Sequence, residues 1–416
     1  MNPDTTTHAL EIESIAAGGD GVARSEKLVV FTPRTAVGDR IIASVTQKGR
    51  LARGVIENIE RPGADRVTPE CAHYDGDHCG GCQLQHIAVP AQREAKRKII
   101  SDSLRRIGKR DVAPPEIRSG ANAWRYRRKL TLALRKRGGR WIAGLHAYDN
   151  PAHVFELKDC NISDERVLTV WREILAAQKY FPESIHLRGA VRLLGDATNR
   201  AAFVLEGGRD WNSAEQFFDA TPSVGALWWI PENGSRRLLA DRRDKNEPGA
   251  SFTQVNPEVA AQLERFVTEA VMAHAPATVV DGYSGAGDVA VALAVRGVRV
   301  VAIELDPEAS AWAATRLPAG SRAVTARVED AIRNTLPADV VILNPPRTGV
   351  DARVTTVLSN AKPSPRAIVY VSCDPATLAR DLSRLPGWKI ARLTAFDMFP
   401  QTAHVETVCE LVPVSE

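Results

Sequence analysis

Cys373 stands in VSCDPATLARDL, directly after the apolar run AIVYV. A thiol at the carboxyl end of a strand is placed to act as a nucleophile, and its thiolate is the reactive form. A free cysteine is otherwise a small buried hydrophobe, but the polar setting S-C-D-P favours the reactive reading. Two further polar runs flank it in chain order, ILNPPRTG at residues 342–349 and FDMFPQTAHVETV at residues 396–408. The first brings Asn344 and Arg347, the second His404 and Glu406. By residue type alone Glu406 is a strand-end acid, and His404 is a polar candidate without an assigned role.

Upstream, VVDGYSGAGDVAVALA places Gly285 and Gly287 in a turn between a strand and a helix, bordered by Tyr283 and Asp288. Glycine lets the backbone approach a ligand closely, and the helix start offers free N–H groups. The next strand, VVAIELD, ends in Glu304, a carboxylate able to accept both hydroxyls of a ribose. Together they point to a nucleoside cofactor. Asp330, in RVEDAI after a third strand, is placed to reach an adenine. Asn344 carries an acceptor oxygen and two donor hydrogens, suited to a base edge or to the cofactor.

Cysteines also gather elsewhere. CAHYDGDHCGGCQLQH supplies Cys71, Cys79 and Cys82, with seven and two residues between them, and Cys160 follows in FELKDCNIS. Four thiolates suit zinc or an iron–sulfur cluster, and coordination chemistry alone does not choose. Cys409 reads as core.

These residues need a scaffold. The chain has 416 residues, enough for two or three domains, with 44% hydrophobic and 25% charged residues. No run approaches the roughly 18 apolar residues of a membrane helix. MNPDTTTHAL lacks the basic-then-apolar order of a secretory signal. The expected location is the cytoplasm, with thiols reduced.

Net charge is only +4, but Arg93 to Arg140 holds 17 Lys/Arg against 4 Asp/Glu. That +13 leaves −9 for the rest of the chain. A basic block beside a near-neutral remainder points to a polyanion. Trp124 and Tyr126 lie inside the block, in AWRYRRK, where stacking on bases is one reading and a solvated, partly packed face the other.

Three regions follow from patterning. Residues 1–62 hold short apolar runs (HALEIESIA, KLVVFTP, DRIIASVTQ, RGVIENIE) separated by the turns GGDGVARSE and AVGDR, the pattern of a small OB-type β-barrel. Residues 63–250 form a mixed α+β region containing the cysteines, a helix across residues 86–110 and the basic block. Residues 251–416 alternate helix and strand, which implies a Rossmann-like α/β fold with a mostly parallel sheet and ligands at the strands' carboxyl ends.

GGDGVAR with VVFTPRTAVGDR resembles the TRAM domain, an RNA-binding barrel attached to RNA-modifying enzymes. The GAG turn followed by Asp288 resembles S-adenosylmethionine methyltransferases more than nicotinamide enzymes. The three polar motifs together closely resemble the RNA uracil-C5 methyltransferases, which carry D-P-P-R-x-G, S-C-[DN]-P-x-T-L-A-R-D and D-x-F-P-Q-T-x-H-V-E. The resemblance covers nearly the whole chain. It implies methyl transfer from S-adenosylmethionine to C5 of a uridine in ribosomal or transfer RNA, with Cys373 adding to C6 and Glu406 as the base. It also implies that Gln254, in SFTQVNP, touches the cofactor. C-G-G-C-x-x-Q-H with the distant K-D-C resembles members holding a [4Fe–4S] cluster on Cys71, Cys79, Cys82 and Cys160, although the gap after Cys71 is longer than in the family. RNA is the expected partner, with no membrane, no obligate protein partner and a monomer.

Asn344 departs from the family's Asp. N-P-P is the motif of amino-group methyltransferases, which usually follow it with an aromatic residue where this chain has Arg347, and which need no cysteine. Amino-methylation is therefore the alternative. The radical methylthiotransferases also join TRAM to a cluster, but through C-x3-C-x2-C where this chain has C-x7-C-x2-C. A non-catalytic RNA-binding iron–sulfur protein would leave Cys373, Glu406 and the glycine turn unexplained.

Overall fold

The structure, a computed structural model, describes residues 5–25, 28–49, 51–195, 200–243 and 248–414. It divides into two compact units. Unit one comprises residues 1–68, 82–121 and 258–416, and unit two comprises residues 69–81 and 122–257.

Unit one contains two sheets. The larger has eight strands, in the order Arg322–Thr325, Arg299–Glu304, Thr278–Gly282, Val340–Leu343, Ala367–Ser372, Glu406–Pro413, Trp388–Phe396 and Glu116–Arg118. The first five are parallel, and Glu406–Pro413 pairs antiparallel to both of its neighbours. Its central strands are apolar on both faces, as a sheet covered by helices on both sides requires. Val280, Val341, Ile368 and Tyr370 face one core, shared with Ile100 and Leu104 of helix Val89–Arg106 and Leu378 of helix Pro375–Ser383. Val279, Val340, Ile342 and Val369 face the other, shared with Leu263 and Phe266 of helix Pro257–Met272.

The smaller sheet has six strands, in the order Thr5–Glu11, Arg40–Lys48, Leu51–Arg61, Leu28–Thr32, Gly21–Ser25 and Ser14–Ile15. All the N-terminal strands read from the sequence are present. The expected closed barrel is not: among the described residues the ladder is open, ending at the two-residue strand Ser14–Ile15. The stretch GGDGVARSE, expected as a turn, contains the strand Gly21–Ser25. Gly21 is buried so tightly that a Cβ would collide with the Thr35 hydroxyl, so here glycine serves packing and not reversal.

Unit two is built on a seven-stranded sheet, in the order Val154–Glu156, Arg140–His146, Lys129–Arg137, His186–Leu193, Ala201–Glu206, Val224–Ile230 and Arg237–Asp241. Helix Glu165–Ala176 packs on one face, with Trp171 edge-on to Phe203 at 5.8 Å. Tyr126 is buried and Trp124 donates its indole N–H to Glu70 at 3.1 Å, so Tyr126 serves the core, not a stacking surface. Among the described residues no helix is long and apolar enough to cross a membrane.

Candidate active site

The parallel strands of the large sheet deliver their polar residues to one edge, since each strand passes its motif beyond its carboxyl end. Strand Thr278–Gly282 leads into Tyr283 and the glycine turn, Arg299–Glu304 ends on Glu304, Val340–Leu343 leads to Asn344, and Ala367–Ser372 leads to Cys373. Glu406 begins the antiparallel strand beside the last of these, and Ser372 pairs with Thr407, so Cys373 and Glu406 arrive at the same place.

The turn has the backbone a ligand site needs. Tyr283, Gly285 and Gly287 all have positive φ, at 63°, 55° and 82°, and a Cβ on Gly285 would meet open space. Ser284 Oγ is buried without a hydrogen-bond partner, an orphaned polar atom of the kind a bound ligand satisfies. Glu304 splits its carboxylate between the amides of Gly285 at 2.9 Å and Asp306 at 2.7 Å, fixing the turn to the second strand. Each oxygen keeps a lone pair for a sugar hydroxyl. Asp288 pairs with Arg316 at 2.8 Å, and Asp330 pairs with Arg353 at 2.7 Å. Below the turn, burial, then Glu304 and Asp288, raise the Asp281 carboxyl to about 7. These residues fit a nucleoside cofactor. Gln254 falls in unit two, where its Oε1 is a buried acceptor without a partner.

Cys373 is half-buried between Ser372 and Asp374. Burial, and then the Glu406 carboxylate, push its thiol up to about 11, while the Arg347 guanidinium pulls the other way. Glu406 is itself buried, at 3% exposure. Arg347 Nη2 lies 3.4 Å from His404 Nε2, so the first and third motifs meet beside the thiol. Asn344 is exposed at its strand end, its backbone N–H donating to the Gly282 carbonyl at 3.1 Å.

Two supports lie in residues that sequence reasoning left without a role. Asp381, fully buried, accepts from the Tyr370 hydroxyl at 2.7 Å, from the Val350 amide at 2.9 Å and from Arg380. Arg380 donates to the Thr348 carbonyl at 2.7 Å and the Thr377 hydroxyl to the Arg347 carbonyl at 3.1 Å. The T-L-A-R-D stretch thus pins the N-P-P-R-T-G loop beside Cys373. On the other side, Gln401 has φ 68° and is clamped by Gln92, which exchanges both amide hydrogen bonds with it at 2.9 Å. Lys96 and Arg93 bind Asp397 from the same helix. The signal for both supports was in the quoted motifs, whose polar residues outnumber any chemistry they could perform.

The four cysteines assigned to the cluster fall in both units. Cys71, Cys79 and Cys160 belong to unit two and Cys82 to unit one. Among the described residues no three His, Cys, Asp or Glu side chains converge as a metal site requires. Cys160 is buried, which raises its thiol, and the Cys79 sulfur accepts from the Gly81 amide at 3.4 Å.

Comparisons with known proteins agree with this geometry. The family model described as tRNA (Uracil-5-)-methyltransferase matches residues 319–412, which include all three polar motifs. An uncharacterized RNA methyltransferase of Halalkalibacterium halodurans is 31% identical, across 96% of this chain and 95% of its own. A second, from Listeria monocytogenes, is 30% identical across 97% and 96%. The crystal structure of Pyrococcus abyssi tRNA (uracil-54, C5)-methyltransferase with S-adenosyl-L-homocysteine shares the fold, with TM-score 0.73, 24% identity, and coverage of 97% of this chain and 99% of that one. With relatives at this identity along nearly its whole length, the chain belongs to the RNA methyltransferases.

Proposed function

We propose that the chain methylates C5 of a uridine in RNA, with Cys373 as covalent nucleophile and Glu406 as base. The reading rests on one observation: a thiol and a carboxylate meet at the carboxyl ends of the parallel strands, close enough for the carboxylate to raise the thiol. Bound in the glycine turn between Glu304 and Asn344, S-adenosylmethionine supplies a methyl group on an electrophilic sulfonium. Uracil C5 is a poor nucleophile until Cys373 Sγ bonds to C6 and pushes the ring electrons onto C5 and O4. Once C5 carries the methyl, Glu406 takes the C5 proton, the C5–C6 double bond re-forms and the C6–S bond breaks. Arg347 favours the thiolate that starts the sequence.

Incubation with 5-fluorouridine-substituted RNA and S-adenosylmethionine tests this. Fluorine does not leave C5 as a proton does, so a denaturation-resistant protein–RNA adduct mapping to Cys373 is expected. Methylation of ordinary RNA without that adduct would overturn the covalent route and leave amino-methylation at Asn344. The RNA is ribosomal or transfer RNA, and the TRAM-like N-terminal sheet with four cluster-type cysteines leans toward ribosomal RNA. The resemblance assigns those cysteines to a [4Fe–4S] cluster, supported here by four free thiols, three of them buried. Methyl transfer moves no electrons to or from a cluster, so no step uses it. Iron and sulfide analysis of anaerobically purified protein tests its presence.

A further inference from the structure

The chemistry proposed above uses Cys373, Glu406 and Arg347 and leaves His404 without a role. Arg347 is exposed, yet its guanidinium is hydrogen-bonded to His404, Nη2 to Nε2 at 3.4 Å. A guanidinium only donates and does not lose its proton in a protein. The imidazole is therefore the acceptor, with Nε2 bare and its single proton on Nδ1. An imidazolium would offer donors alone and would repel Arg347.

The other arginines of this edge are held differently. Arg316 pairs with Asp288, Arg353 with Asp330 and Arg380 with Asp381, each through a carboxylate. Among the described residues Arg347 pairs with no carboxylate. A carboxylate would grip the guanidinium more firmly but would cancel its charge. A neutral acceptor fixes the direction of the guanidinium and leaves its positive charge whole. Both ends of the contact are anchored. The Thr377 hydroxyl donates to the Arg347 carbonyl at 3.1 Å, which ties that backbone to helix Pro375–Ser383, just after Cys373. The His404 ring stands edge-on to Phe399 with centroids 6.0 Å apart, and its backbone N–H donates to the Thr402 hydroxyl at 3.3 Å. Only the long Arg347 side chain is left to choose among rotamers, and His404 is the group it meets.

We propose that His404 is a positioning residue: as a neutral acceptor it holds the Arg347 guanidinium within electrostatic reach of the Cys373 sulfur. The inference rests on the covalent reading above. Burial and then the Glu406 carboxylate raise the thiol, and the Arg347 guanidinium is the charge that opposes them. A guanidinium free to swing into solvent would oppose them less, because its attraction for a thiolate falls with distance and with water between the charges.

The test is the pH profile of Cys373 alkylation by iodoacetamide, read by peptide mass mapping on the full chain without RNA or cofactor. His404→Phe keeps the edge-on ring and removes the acceptor, whereas His404→Gln keeps an acceptor of similar reach. His404→Phe is expected to move the profile to higher pH by about half a pH unit, which is about threefold slower alkylation at a given pH below the midpoint. His404→Gln should stay close to wild type. Arg347→Gln should shift as His404→Phe does, and Arg347→Gln/His404→Phe should shift no further, because the two residues act through one contact. A role in packing alone would lower the melting temperature of His404→Phe and leave its profile on that of the wild type, which would overturn the proposal. A double variant shifted beyond Arg347→Gln would overturn it too. So would an Arg347→Gln profile that matches wild type, and that variant keeps the His404 packing, so it decides the matter where His404→Phe does not fold. None of these results touches the covalent reading, which falls only where Cys373 forms no adduct with 5-fluorouridine-substituted RNA.

Discussion

Lys96 Nζ lies 2.6 Å from Asp397 Oδ1, with both side chains sealed from solvent. Lys96 also donates to the Phe399 carbonyl at 3.0 Å, and Arg93 reaches the second Asp397 oxygen at 3.1 Å. Helix Val89–Arg106, densely basic in sequence, thus spends its charge holding the loop that leads to His404 and Glu406.

Burial works against the Lys96 charge and only Asp397 compensates it. Removing one partner of such a pair leaves an unpaired buried charge, at a cost of about 3–5 kcal/mol. Lys96→Met should therefore be destabilised by that order in denaturant titration and should lose methylation as the loop loosens. Lys96→Met/Asp397→Asn should recover much of the stability. A single variant as stable as wild type would contradict the clamp.

Burial and the Glu406 carboxylate push the Cys373 thiol up to about 11, which favours the protonated thiol at neutral pH. Its alkylation by iodoacetamide should rise about tenfold per pH unit up to that value, because only the thiolate reacts. Glu406→Gln deletes a charge that raises the thiol, so the variant should alkylate faster than wild type at about pH 8. The same change should halt methylation after the adduct has formed. Faster alkylation beside stalled turnover is a combination that general damage to the site does not produce.

Gly349 has φ 77°, and a Cβ there would strike Asp381, Thr377 and Arg380. Gly349→Ala combines left-handed strain of about 1–3 kcal/mol with a displaced N-P-P-R loop. Tyr370→Phe takes a buried donor from Asp381 and should cost about 1–3 kcal/mol. Thermal melts of both, read beside turnover, should show activity falling further than stability for Gly349→Ala.

Asn344→Asp restores a charge at a position that is already exposed. Uridine methylation should survive this change and vanish in Cys373→Ala. The reverse pattern, measured by nucleoside analysis of the modified RNA, would identify an amino-group enzyme.

Much of the candidate edge was legible because parallel strands broadcast themselves: each apolar run ends in a polar motif, and the sheet collects those ends. The turn at Gly285 and Gly287 was readable for the same reason. Charge was harder to read. A count over residues 93–140 cannot show that Lys96 and Arg93 face Asp397, roughly three hundred residues later in the chain, or that Arg110 caps backbone carbonyls. Asp381 and Gln401 were hidden inside recognisable motifs because support and chemistry use the same polar residue types. The missed strand Gly21–Ser25 shows the converse, a glycine chosen for close packing that reads as a turn.

The order of the units along the chain constrains how the protein is made. Unit two is nearly continuous, ending at residue 257, whereas unit one begins near the N-terminus and closes only with its last strand, Glu406–Pro413. Ala91 and Ala95 of helix Val89–Arg106 pack early against Ile15 and Ala36, but its Ile100 and Leu104 must wait for helix Pro375–Ser383, so on the ribosome that end of the core stays unfinished while about 270 further residues are added. Separating residues 251–416 as a catalytic fragment would strip that helix and the edge strand Glu116–Arg118 from the sheet. Such a fragment, though it holds the glycine turn, Cys373 and Glu406, should emerge insoluble.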